Sequence, residues 1–172
     1  DLLHLVTAPD QRLNIASVNP GIEVNDGTIV YELRSGSVLA IKGAEWPFLD
    51  GTLTLLPVTM RMGVSEVRRY TLMIGGLNAA HFIERMELAN LNATGTFDGT
   101  LPLVFDQNGG RIDGGQLRSR PPGGSVSYVG SLTYRDLGSM GNFAFDALKS
   151  LEYREMTIGM SGALAGEIVT RV

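Results

Sequence analysis

Apolar and polar residues alternate in short runs along most of the chain, and Gly, Pro, Asn and Asp cut those runs at intervals, the pattern of β-strands joined by turns. Strands are predicted at Leu2–Thr7, Arg12–Val18, Val38–Lys42, Gly51–Leu56 and Arg69–Ile74. Asn25-Asp26-Gly27 has the residues of a tight two-residue turn, because Asp-Gly supplies positive φ at low cost; it predicts a hairpin joining Ile22–Val24 to Thr28–Arg34. Trp46-Pro47-Phe48 interrupts the series, and a proline there indicates an edge or a crossover. In the longest β segment Phe97, Leu101, Leu103 and Phe105 take the odd positions with Gly99 in their row, while Thr96, Asp98 and Thr100 take the even ones. Asp106–Gly110 turns the chain, Arg111–Arg118 returns antiparallel, and Ser125–Tyr128 follows the Pro121-Pro122-Gly123-Gly124 breaker. Near the end Met156, Ile158, Met160, Leu164, Ile168 and Val172 share a row with Gly162 and Gly166, opposite Glu155, Thr157, Ser161, Glu167 and Arg171. The row outruns an ordinary strand of about 5–6 residues, so it is a hairpin turning near Gly162–Gly166 or one extended strand.

Two helices break the β pattern. Asn78 is a suitable N-cap for Ala79–Leu88, where Phe82, Ile83 and Met86 form an apolar face; Asn142 does the same for Phe143–Leu151, with Ala144, Leu148 and Leu151 in a stripe. Helices of about three turns are marginal alone, so each is expected to lay its apolar face on a sheet. The predicted fold is mainly β with two short α-helices: one domain over 1–172, built on an elongated, curved antiparallel sheet, with a groove or a closed sandwich as the two ways of disposing of its apolar rows.

Composition narrows the chemistry. With 172 residues, 44% of them apolar, the chain is large enough for a single core. The 22 glycines read as turns and bulges. A formal charge of -4 without a basic stripe argues against nucleic acid as a general partner, and the preference for Arg over Lys, of which there are only Lys42 and Lys149, reads mainly as base composition. No cysteine is present, so disulfides, thiolate chemistry and Cys-ligated zinc are excluded. His4 and His81 lack HExxH spacing, and Gly159-Met160-Ser161-Gly162 lacks the spacing of a nucleophile elbow. Asp106, Asn108 and Asp113 resemble part of a calcium loop, but Leu117 stands where the bidentate carboxylate belongs, so a plain turn is the better reading. The glycine pairs lack the spacing of a phosphate-binding loop. No catalytic residue, metal or cofactor is therefore expected. No apolar run approaches the roughly 18–20 residues that span a bilayer. The strand-like pattern still running at Val172 is read as the mark of a piece of a longer protein.

The block Thr96-Phe97-Asp98-Gly99-Thr100-Leu101-Pro102-Leu103-Val104-Phe105, with Gly110-Arg111-Ile112-Asp113-Gly114-Gly115-Gln116-Leu117 and Pro122-Gly123-Gly124 after it, resembles the C-terminal region of YdbH-like proteins, which stand with the large AsmA-like proteins of Gram-negative envelopes. Val18-Asn19-Pro20-Gly21-Ile22, Phe143–Leu148, Leu151-Glu152-Tyr153 and Gly162–Gly166 extend the likeness over nearly the whole chain. The resemblance implies a periplasmic bridge anchored in the inner membrane, whose long sheet holds phospholipid acyl chains in a hydrophobic groove on their way to the outer membrane. It also implies an end near the outer membrane where a small lipoprotein joins the sheet by strand addition. An older family label, dicarboxylate transport, implies instead a small diacid held by Arg111, Arg118 or Arg120. On the groove reading Phe97, Leu101, Leu103, Phe105, Met156, Ile158, Met160, Leu164 and Ile168 line or seal the trough, where each buried methylene of the guest contributes about 0.8 kcal/mol.

Overall fold

The structure, a computed structural model, describes residues 5–18, 23–129, 149–165 and 168–171. In chain order its elements are β1 (Gln11–Val18), β2 (Val24–Arg34), β3 (Val38–Phe48), β4 (Gly51–Leu55), β5 (Val58–Arg61), β6 (Arg68–Asn78), α1 (Ala79–Arg85), β7 (Leu91–Ala93), β8 (Thr96–Asp106), β9 (Gly109–Ser119), β10 (Gly124–Tyr128), β11 (Leu151–Tyr153), β12 (Thr157–Ala163) and β13 (Ile168–Arg171). Ten strands form one antiparallel sheet in the order β1-β2-β3-β4-β6-β8-β9-β12-β13, with β5 following β4 along the same side of β3. Its end strands do not meet, so the sheet is open and not a barrel. The other three make a small sheet in the order β11-β10-β7.

Most predicted strands are present, several of them longer than expected, and β8 and β9 pair as a hairpin about Gln107-Asn108. The last apolar row is a hairpin, with β12 and β13 paired from Gly159↔Arg171 to Gly162↔Ile168. Other expectations are corrected. Asn25-Asp26-Gly27 is no turn: it lies inside β2, which pairs with β1 in unbroken register, and Asp26 takes φ +58° there. Gly27 is required for a packing reason, because the Trp46 indole of β3 occupies the space a side chain would need. Trp46-Pro47-Phe48 does not interrupt the series either but continues β3 in the sheet interior; Pro47 lies past the last residue paired to β2, so its missing N–H breaks no ladder bond recorded on that side. Residues 5–7 of the first predicted strand are not a strand, although the Thr7 N–H donates to the Leu33 carbonyl (3.0 Å) and its Oγ1 accepts from the Leu33 N–H (3.0 Å). The first helix ends at Arg85, three residues early, and Asn78 caps it as expected. Of the second helix, 143–148 lie outside the described residues, and Leu151 opens strand β11 by pairing with Val126.

Paired residues in an antiparallel ladder share a face, so the register sorts the large sheet into two surfaces. One carries Leu13 and Ile15, Ile29 and Tyr31, Ile41 and Trp46, Leu53 and Leu55, then Tyr70, Leu72 and Ile74, Leu101 and Leu103, Ile112 and Leu117, and finally Ile158 and Met160. The other carries mainly Thr28, Glu32, Glu45, Thr52, Thr54, Arg69, Thr71, Asp98, Thr100, Gln116, Arg118 and Thr157, with Val30, Met73 and the buried Val104 set among them. Alternation set strand by strand in the sequence thus adds up to one oily and one wet face across the sheet.

Candidate functional site

The oily face is covered at one end. There α1, with Ala79, Phe82 and Ile83, and the small sheet, with Ala93, Val126 and Tyr153, pack over Leu77, Phe97 and Leu117. Asn78 places the helix: its Oδ1 accepts from the Ala80 N–H (2.9 Å) and the His81 N–H (3.4 Å), and its Nδ2 donates to Asp50 (3.2 Å). Arg85 reaches across to the Glu23 carbonyl at 3.1 Å, tying the far end of the helix to the start of β2. Beyond this cover Leu72, Leu101, Tyr31, Ile41 and Phe105 are only half-buried, and Leu13 at the β1 edge is 50% exposed.

Glycines shape this surface. A Cβ on Gly99 would stand 2.6 Å from Leu117 Cδ2, one on Gly115 would stand 2.8 Å from Leu101 Cδ2, and one on Gly110 would stand 2.9 Å from Leu164 Cδ1 and against the Phe105 ring. Leu117, Leu101, Leu164 and Phe105 thus each press on a neighbouring glycine, and at Gly99 the Gln116 carbonyl stands closer still. Phe105 also meets Tyr70 edge-on at 5.5 Å between centroids. Other glycines serve turns and bulges as expected: Gly36 and Gly63 have positive φ in turns, and Gly76, Gly114 and Gly162 have it at the register shifts of β6, β9 and β12.

Under the cover the floor deepens into an apolar hollow of about 150 Å³, walled by Phe97, Leu117, Met156, Ile158 and Met160 below and Phe82, Ala93 and Tyr153 above. Tyr153 presents its ring: the phenol donates to the Thr94 carbonyl at 2.6 Å, the ring centroid lies 6.1 Å from that of Phe97, and burial holds the phenol pKa above the usual tyrosine value.

The wet face is charged and internally paired. Arg120 clasps Asp98 through two nitrogens (2.7 and 2.5 Å), and Asp98 also accepts from the Gly76 N–H (2.8 Å); the arginine hydrogen bond, with that N–H, holds the carboxyl below the usual aspartate range. Arg111 likewise lowers Asp106, and Arg34 lowers Glu32. Arg118 sits 3.5 Å from Glu155. The three arginines considered for a diacid thus each face a carboxylate of the chain itself.

A family model described as YdbH-like, intermembrane phospholipid transport protein YdbH, matches residues 1–172, the whole chain. The chain belongs to the YdbH-like family. No curated protein and no solved structure matches it. The YdbH-like family is one of lipid transport in the cell envelope and not an enzyme family, so lipids are its substrates and the periplasm its setting. Among the described residues no helix is long and apolar enough to cross a membrane.

Within this YdbH-like chain the nine residues singled out from sequence do not all lie together. Phe97, Met156, Ile158 and Met160 wall the hollow. Leu101, Leu103 and Phe105 continue the β8 row away from the cover, Leu103 being buried and its neighbours half-buried. Leu164 lies in the β12–β13 turn with its N–H on the Gly110 carbonyl (2.9 Å). Ile168 pairs with Gly162 through the backbone, and its side chain is outside the described residues. The sequence reading left out the matching rows of β2, β3, β4 and β6, notably Ile29, Tyr31, Leu55, Tyr70 and Leu72. Their alternation is visible in the sequence, but their alignment with the β8 row needs the register.

Proposed function

We propose that this domain is a stretch of a periplasm-spanning lipid conduit, the C-terminal part of a YdbH-like groove, in which phospholipid acyl chains lie along the oily face of the large sheet and headgroups stay in water. The observation that carries the reading is the continuous apolar surface on one face of an open ten-stranded sheet, half-buried beyond the cover and opposed by a charged face. Such a surface recognises hydrocarbon by area alone and asks for no reactive group. Leu101, Leu103, Phe105 and Leu164 form part of its floor in this reading, with Leu72 and Tyr70 beside them. The test is to purify the chain without detergent and extract it for lipid mass spectrometry. Phospholipid is expected in the extract, and a stably folded, lipid-free protein overturns the proposal.

A second reading concerns β13, which among the described residues pairs only with β12 and leaves one backbone edge open, with Val169 52% exposed. This supports docking of a small outer-membrane lipoprotein by strand addition. Hydrogen exchange with and without such a lipoprotein would show slowed β13 amides, whereas unchanged β13 amides in a formed complex discard this mode. The diacid alternative has weaker support, since Arg111, Arg118 and Arg120 face Asp106, Glu155 and Asp98. Calorimetry with succinate is expected to give no heat.

A further inference from the structure

Resting on the conduit reading above, we propose that the hollow beneath α1 and the small sheet receives the methyl end of a single acyl chain, so that lipid lies in the trough tail-inward at this end of the domain. Three observations converge on it. The first is continuity. Phe97 is the last residue of the row Leu101, Leu103, Phe105 on β8, Leu117 ends the Ile112 row on β9, and Ile158 and Met160 carry the same face on β12, so the hollow is the covered end of the oily floor.

The second is closure. The cover is held through the backbone: the Ala79 N–H of α1 donates to the Gly95 carbonyl just before β8 (3.0 Å), and the Thr94 N–H after β7 donates to the Ser125 carbonyl of β10 (2.8 Å). With the cover held in this way, a chain entering along the floor ends against Phe82 and Tyr153. The third is size and lining. An apolar cavity near 150 Å³ stays dry and takes a benzene-sized guest, about six carbons, which is the tail end of an acyl chain and not a glycerol or a phosphate. Of the two hydroxyls in the wall, Tyr153 turns its own away to Thr94, and Thr170 lies on the exposed strand β13 opposite Met160; Met156 and Met160 are unbranched and adapt to ends of different shape.

The experiment uses two photoreactive phosphatidylglycerols, one with a diazirine on the terminal acyl carbon and one with it at mid-chain, supplied in vesicles to the whole chain, photolysed and mapped by peptide mass spectrometry. The terminal-carbon probe is expected to label Phe97, Met156, Met160 and Phe82, and the mid-chain probe Leu72, Leu101 and Leu103. Filling the hollow by Ala93→Leu is expected to move the terminal-carbon adducts out to Leu101 and Leu72. Should that variant fail to fold, the two maps on the unaltered chain still decide. Identical maps for the two probes overturn this inference and leave the conduit standing. Absence of adducts from both probes overturns the conduit reading itself.

Discussion

Gly27 and Gly115 show how much a single missing side chain does in this sheet. The space above Gly27 is filled by the indole of Trp46, a rigid ring that is itself buried, with its Nε1 lacking a hydrogen-bond partner. Gly27→Ala is expected to cost about 1–3 kcal/mol, the usual range for overpacking, seen as a lower urea midpoint at unchanged slope. The atom nearest a new Cβ at Gly115 is the free δ-methyl of Leu101, at 2.8 Å. Gly115→Ala is therefore expected to destabilise less than Gly27→Ala while lifting Leu101 off the floor and lowering the phospholipid recovered with the chain. On the wet face, Asp98 supplies a pH test. Its native pKa is depressed below the ordinary 3.8 by Arg120 and the Gly76 N–H, so folding favours the ionised form. The contribution is complete above that ordinary value and fades as pH falls through the lower native one. Asp98→Asn should thus be less stable than the parent at neutral pH, with the gap closing in strong acid; both partners are half-exposed, so solvent screening keeps the gap small. None of these glycine roles is legible in the sequence, which shows that a side chain is missing but not which neighbour fills the place.

The cover is the element on which the shape of the site turns. α1 has only seven residues, too few to persist alone, and it holds through Asn78 at its start and Arg85 across to Glu23. Asn78→Ala is expected to cost about 1 kcal/mol and to speed hydrogen exchange at Ala80 and His81, with the amides of β8 and β9 unchanged. Equal acceleration in β8 would mean that the cap supports the whole sheet and not the cover. The cap was legible because an Asn before an apolar face at helical spacing states its own chemistry. β8 and β9 were legible for a similar reason, as eleven-residue strands leave several periods of alternation to read. β7 and β11, at three residues each, carry no period, and β5 is cut from β4 by Pro57; such pieces exist because a neighbour's ladder recruits them. Asp26-Gly27 misled because the dipeptide that suits a tight turn also suits a strand residue at positive φ beside a glycine pressed by an indole.

At the scale of the molecule, the arrangement among the described residues is an open sheet with an apolar face on one side, charged pairs on the other, and a second layer over one end. The sequence contained the alternation and the family likeness, but the sum of the rows into one surface depends on pairings between strands far apart in the chain, such as Leu72↔Leu101 and Leu117↔Ile158. Adjacent residues on β8 put that surface to its sharpest test, since Leu101 faces the oily side and Thr100 the wet one. A photo-crosslinking amino acid is placed at position 101 or at position 100 and activated in growing cells, and the protein is then examined for covalently attached phospholipid. Adducts are expected from position 101 and none from position 100. Equal labelling at both, or none at position 101, would contradict it.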